Sequence, residues 1–256
     1  MRRICTLALA LVAMAWSHEA AAQDCSKSFF PERPGATNGH WSQQKGCAML
    51  ESGALVTRTP DATFLAFPTL FRFGLGAGFE LRANTDLVAV DIPDDDSAGA
   101  SAPRTGLEVK FMGLRAEDRV PGVGVLLQVN SVTNGDFVDE LQVATSGLMD
   151  WQLFDGFWWA VNVSLATANG GAVEPMRQGV FGASTVVWYD FVGFMSGYVN
   201  YAGSTRLRER SWNQIVGGGL AFYPGVERLQ LDVSADVEVT GDEHPVVVGA
   251  GVAVGF

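Results

Sequence analysis

LQLDVSADVEV, the stretch from Leu229 to Val239, decides the fold. Leu229, Leu231, Val233, Ala235, Val237 and Val239 alternate with Gln230, Asp232, Ser234, Asp236 and Glu238. A chain extended through these residues carries one apolar and one charged face. It is also long enough to cross a bilayer at a tilt, for which about ten residues suffice. After a short polar break the chain closes VVVGAGVAVGF on Phe256, an aromatic residue inside its last strand. Such an ending is expected of an outer-membrane barrel made by a Gram-negative cell, with Phe256 as the signal read by the barrel-assembly machinery.

The same rhythm recurs upstream. In Phe79–Leu87, Glu80, Arg82, Asn84 and Asp86 alternate with Phe79, Leu81, Ala83, Thr85 and Leu87, and Leu107–Phe111, Val123–Asn130 and Phe157–Thr167 repeat the pattern. Segments around 47–57, 63–74, 139–153, 178–189, 192–201 and 212–223 are compatible, though both of their faces are fairly apolar. Together they predict about twelve strands, the even number expected of a single-chain bacterial barrel. The fold class is therefore all-β: a transmembrane, antiparallel, up-and-down barrel.

Connections at 75–77, 115–121, 154–156, 190–191 and 224–227 are short and are assigned to the periplasm. Those at 88–104, 131–138, 168–177, 202–211 and 240–245 are mostly longer and polar, as outside loops are; only the one near 58–62 is brief. Aromatic residues gather beside the short turns: Phe71, Phe73 and Phe79; Trp151, Phe154, Phe157, Trp158 and Trp159; Trp188, Tyr189, Phe191 and Phe194; Phe222 and Tyr223. They are expected to form an interfacial girdle.

Arg2 and Arg3, an apolar run from Ile4 to Trp16 and Ala20-Ala21-Ala22 make residues 1–22 a secretory signal peptide. The expected organisation is leader 1–22, an N-terminal periplasmic or plug segment 23–46 and a barrel 47–256. Cys25 and Cys47 are the pair left after the leader, and in an exported chain they are expected to form a disulfide. The net charge of −11 argues against nucleic acid as a partner, because phosphate binding needs a basic surface. Thirty glycines suit a sheet that must curve and pack its inner face closely.

A lipid-facing Lys or Arg at mid-bilayer costs about 2–4 kcal/mol, so the charged face is expected inside. Lumen-facing candidates are Glu51, Arg72, Glu80, Arg82, Asp86, Glu108, Lys110, Asp232, Asp236 and Glu238. No phosphate-cradling loop, zinc spacing or nucleophile elbow is present, so no metal, cofactor or catalytic residue is assigned. His40 and His244 are the histidines beyond the leader, and His244 lies in a polar loop. Asp91, Asp94, Asp95 and Asp96 read as a solvated loop, and Arg206, Arg208 and Arg210 as candidates for lipopolysaccharide phosphates.

ERPG at 32–35, the strand Leu50-Glu51-Ser52-Gly53 after Gly46, and FPTLFRFGLGAGFELR from Phe67 to Arg82 resemble the MetA-pathway phenol-degradation family of outer-membrane proteins. Phe73 replaces the family's tyrosine in Arg72-Phe73-Gly74-Leu75, whereas Glu80-Leu81-Arg82 matches. The resemblance implies a barrel associated with uptake of small aromatic or apolar compounds. The expected function is a passive conduit or transporter in the outer membrane, touching its lipid and lipopolysaccharide. Alternatives are a structural or surface-interaction barrel with an occluded lumen and, resting on His244 alone, a lipid hydrolase.

Overall fold

The computed structural model describes residues 25, 29–33, 37–39, 41–93, 99–100, 104–116, 120–134, 137–168, 178–207, 212–241 and 244–256. Its strands are β1 (Ala48–Arg58), β2 (Ala62–Gly76), β3 (Phe79–Pro93), β4 (Gly99–Ala100), β5 (Arg104–Leu114), β6 (Gly122–Asn134) and β7 (Phe137–Phe154). They continue with β8 (Phe157–Ala168), β9 (Gln178–Val192), β10 (Met195–Arg206), β11 (Asn213–Phe222), β12 (Leu229–Glu238) and β13 (Val246–Gly255). The two-residue β4 pairs with the far end of β3. The other twelve form a closed antiparallel ring, completed where β1 meets β13 and β2 meets β3. At the seam Ala48 and Phe256 exchange backbone hydrogen bonds of 2.8 and 3.2 Å. Closure leaves no strand edge, which is what hydrocarbon demands of a sheet.

The pleat sorts the side chains. In β5, Leu107, Val109 and Phe111 point outward while Glu108, Lys110 and Met112 are buried. In β12, Leu231 and Val233 are exposed and Gln230, Asp232 and Ser234 buried. Leu107 is 63% exposed, and Leu81, Leu127, Val143 and Val248 join it in an apolar outer band. A water-soluble monomer rarely leaves so continuous a band uncovered. The interior is where the polar groups are.

Each of the twelve sequence segments corresponds to one strand of the ring. Three hairpins on one side are tight, one of them joining β9 to β10 through Gly193 and Phe194. Ala77 and Gly78 (φ 51° and 81°) join β2 to β3, a pair of left-handed residues that matches the twist of the flanking strands. Asp155 and Gly156 (φ 72°) join β7 to β8. On the other side three expected loops are shorter than the sequence suggested, the 202–211 loop because β10 runs to Arg206, which pairs with Val180. β3 continues to Pro93, paired with Ala62, so Asp91 lies in a strand, while Asp94, Asp95 and Asp96 lie outside the described residues. β6 and β7 likewise pair as far as Asn134 and Phe137 within the expected 131–138 loop. Hairpins that rise beyond the apolar band lose the two-faced alternation that marks a strand in sequence.

The aromatic girdle needs a correction. Phe71, Phe79, Phe154, Trp159, Tyr189, Phe191 and Phe194 are exposed on the tight-turn half of the barrel. Trp158 and Trp188, by contrast, line the interior with Tyr223. In Phe157-Trp158-Trp159 all three positions are aromatic, so composition could not reveal which one the pleat turns inward.

Candidate functional site

The segment before β1 enters the barrel and is tied at its base. Cys25 and Cys47 form a disulfide with Cα atoms 5.6 Å apart, closing a separation of 22 residues. Glycines on the wall make room for this segment. A Cβ at Gly74 would collide with the backbone of Gln43 and Gln44, and one at Gly53 or Gly251 would meet the Arg33 guanidinium. Those three positions give the abundance of glycine a definite purpose.

At the centre stands Arg72, fully buried on β2. Its Nε donates to Glu80 Oε1 at 2.8 Å, and its Nη1 to Glu51 Oε1 at 3.0 Å and to the Phe30 carbonyl at 2.8 Å. Arg82 Nε donates to Glu80 Oε1 at 2.6 Å, while its Nη1 and Nη2 grip both oxygens of Glu32 at 2.7 Å. Lys110 donates to Glu32 as well. Glu51 Oε2 accepts from the backbone N–H groups of Glu32 and Arg33 at 3.0 Å, and Glu80 Oε2 from that of Gln43 at 2.6 Å. Three carboxylates thus face three cations, and one carboxylate, Glu32, comes from the N-terminal segment. Burial opposes ionisation of Glu32, yet Arg82, Lys110 and Arg72 outweigh it and hold its carboxyl well below the usual carboxylate range.

The remaining lumen candidates spread outward from this cluster. Glu108 accepts from Asn84 and Gln128 at 2.6 and 2.8 Å, and Asp86 lines the adjoining cavity. Asp232 meets Arg33 at 3.5 Å, and Asp236 accepts from Asn200 at 3.2 Å. Glu238 is half-buried at the end of β12, where its carbonyl accepts from Nδ1 of the exposed His244 at 3.2 Å. His40, Arg208 and Arg210 lie outside the described residues.

Sequence reasoning gave no role to Glu32, Arg33, Asn38, Trp41 or Gln43, all from the N-terminal segment. Only the ERPG motif hinted at the first two. On the opposite wall Trp41 packs against Trp158 and Trp188, with ring centroids 4.7 and 5.5 Å away, and stacks on Phe30 at 4.8 Å. The Asn162 amide reaches the backbone N–H and carbonyl of Asn38 at 2.7 and 3.0 Å.

Two cavities border the segment and share Arg33 in their linings. One, of about 410 Å³, lies toward the long loops and is polar, with Arg82, Asn84, Asp86, Glu108, Gln128 and Asn130 on its wall. The other, of about 380 Å³, lies toward the tight turns among Trp41, Trp158, Trp188, Tyr198 and Tyr223. Burial pushes the Tyr223 hydroxyl above its usual value, so it stays a neutral donor and acceptor.

No family model and no curated protein matches the chain. Solved structures do. An outer membrane channel from Pseudomonas putida F1 superposes with a TM-score of 0.63 at 10% identity, over 89% of this chain and 99% of that one. The NanC porin gives 0.60 at 9% identity, over 80% and 98%. A monoaromatic hydrocarbon channel, CymD, gives 0.50 at 8% identity, over 84% and 89%. At these identities the likeness establishes the fold. The chain is a twelve-stranded β-barrel of the outer-membrane type.

Proposed function

We propose that this barrel is a passive outer-membrane conduit for small aromatic or apolar solutes, with the N-terminal segment as a partition between two vestibules. One observation carries the reading: cavities of unlike chemistry lie on either side of that segment and share Arg33. A polar vestibule toward the loops and a ring-lined one toward the tight turns suit a molecule that enters from water and is held by its apolar part. The family resemblance supports the same solute class. Glu32, Glu51, Arg72, Glu80 and Arg82, which carry that resemblance, meet in a single ion cluster. A structural neighbour described as a monoaromatic hydrocarbon channel fits it too.

The test is flux into proteoliposomes. Phenol and other small ring compounds should enter faster than sugars of similar size, and entry should rise when Cys25–Cys47 is reduced. A second reading has its own support: the buried cluster pairs every charge it holds, which suits an occluded structural barrel. Absence of flux for all solutes, before and after reduction, would favour it. Lipid and lipopolysaccharide contact outside, and recognition of Phe256 during assembly, complete the proposal.

A further inference from the structure

We propose that the cavity between the N-terminal segment and strands β8–β12 binds a monovalent organic cation, an ammonium group carried on a ring or a short alkyl chain. The inference deepens the conduit reading by naming what the ring-lined vestibule holds, and its biological sense rests on that reading.

Three features converge. The first is aromatic surface: Trp158 and Trp188 lie parallel at 5.9 Å, Trp41 packs against both, and Tyr198 and Tyr223 complete the lining. Indole and phenol faces attract cations through the negative face of the ring, by about 0.5–2 kcal/mol depending on desolvation. The second is an orphaned polar atom. Thr37 lines the cavity, is 6% exposed, and its Oγ1 has no hydrogen-bond partner among the described residues. A buried hydroxyl without a partner is costly unless a ligand satisfies it.

The third is charge. Glu32 and Arg33 also line the cavity, but Glu32 is held by Arg82 and Lys110, and Arg33 Nη2 meets Asp232 at 3.5 Å while its Nε has no hydrogen-bond partner among the described residues. Asp190 has no cation beside it among the described residues. Asp155, in the β7–β8 turn, is near enough to repel the Asp190 carboxylate, and the Asp190 N–H donates to the neighbouring Gly156 carbonyl at 2.9 Å. An anion entering here would meet the Asp190 carboxylate on the cavity wall. A neutral hydrocarbon would leave Asp190 and Thr37 unused, whereas an ammonium ion serves rings and carboxylate together.

The experiment uses the full mature protein in non-ionic detergent, with tryptophan fluorescence read against benzylammonium, benzyl alcohol and benzoate. Saturable quenching by the cation is expected, at least ~10-fold tighter than by benzyl alcohol and absent for benzoate. Asp190→Asn should weaken cation binding about 10-fold and Asp155→Asn, at an exposed turn, about 3-fold, both without change for benzyl alcohol. Trp188→Leu should weaken the cation as well. Equal affinity for benzyl alcohol, or an unchanged Kd in both folded Asn variants, overturns the inference. Flux without cation preference would leave the conduit and remove this site; cation binding without flux would do the reverse.

Discussion

On the β2–β5 side the N-terminal segment is held by Glu32 between Arg82 and Lys110, whereas on the β8–β9 side it is held by Trp41 against two tryptophans. The two walls do different work. Buried ion pairs contribute little net stability over apolar packing, because desolvation offsets their attraction, but they tolerate one arrangement only. The charged wall therefore sets where the segment sits. Ring packing is less directional and contributes through area. It holds the segment while leaving a cavity beside it. Position comes from one wall and space from the other.

Substitutions can break that contrast. The largest effect is expected for Glu32→Gln, which takes from Lys110 its one ion-pair partner among the described residues and from Arg82 one of its two close carboxylates, and should cost segment docking about 3–5 kcal/mol. Protease sensitivity of residues before β1 would report it, with heat-modifiable electrophoretic mobility showing that the barrel itself survives. Next comes loss of the Cys25–Cys47 bridge in Cys47→Ser, worth about 3 kcal/mol in a chain-entropy treatment. The same proteolysis should detect it, and the paired Glu32→Gln variant should release the segment altogether. Trp41→Leu keeps much of the apolar area and should cost about 1–2 kcal/mol, read as a smaller rise in cleavage. If it exceeded Glu32→Gln, the division of labour between the walls would be wrong.

The smallest effect is that of mild acid. Because the Glu32 carboxyl sits below its ordinary value of 4.5, its contribution is complete above that value and is lost only as pH falls through the lower folded one. As far as Glu32 decides it, protection of the segment should stay flat from about pH 7 to about pH 5 and weaken only in stronger acid. A decline between pH 7 and 5 that persists in both Glu51→Gln and Asp232→Asn, the other carboxyls that hold the segment, would show that Glu32 is not ionised among its cations.

Much of the wall was legible in the sequence, because a strand announces itself locally. Glu80, Arg82, Glu108 and Lys110 alternate with apolar neighbours, and that period of two assigns their face whatever they later touch. Trp158 and Trp188 were harder to assign: Phe157 and Trp159 flank the first, whose inward face shows only by its parity with Asn162 and Ser164, and the second lies in a segment fairly apolar on both faces. The extra length of β3, β6, β7 and β10 was missed for a related reason: those ends lack alternation, with Leu87-Val88-Ala89-Val90 apolar at every position and Gly203-Ser204-Thr205-Arg206 at none.

The sequence by itself determined the barrel: strand number, outward grease, inward charge and the pair of cysteines all follow from periodicity and composition. Only the tertiary structure decided what fills the lumen. Residues 29–46 have no repeating pattern, and their partners lie far along the chain; Arg33 and Asp232 are 199 positions apart. Contacts that distant are set by closure of the ring, which brings β2, β5, β8 and β12 around one segment, and no local rule could foretell them.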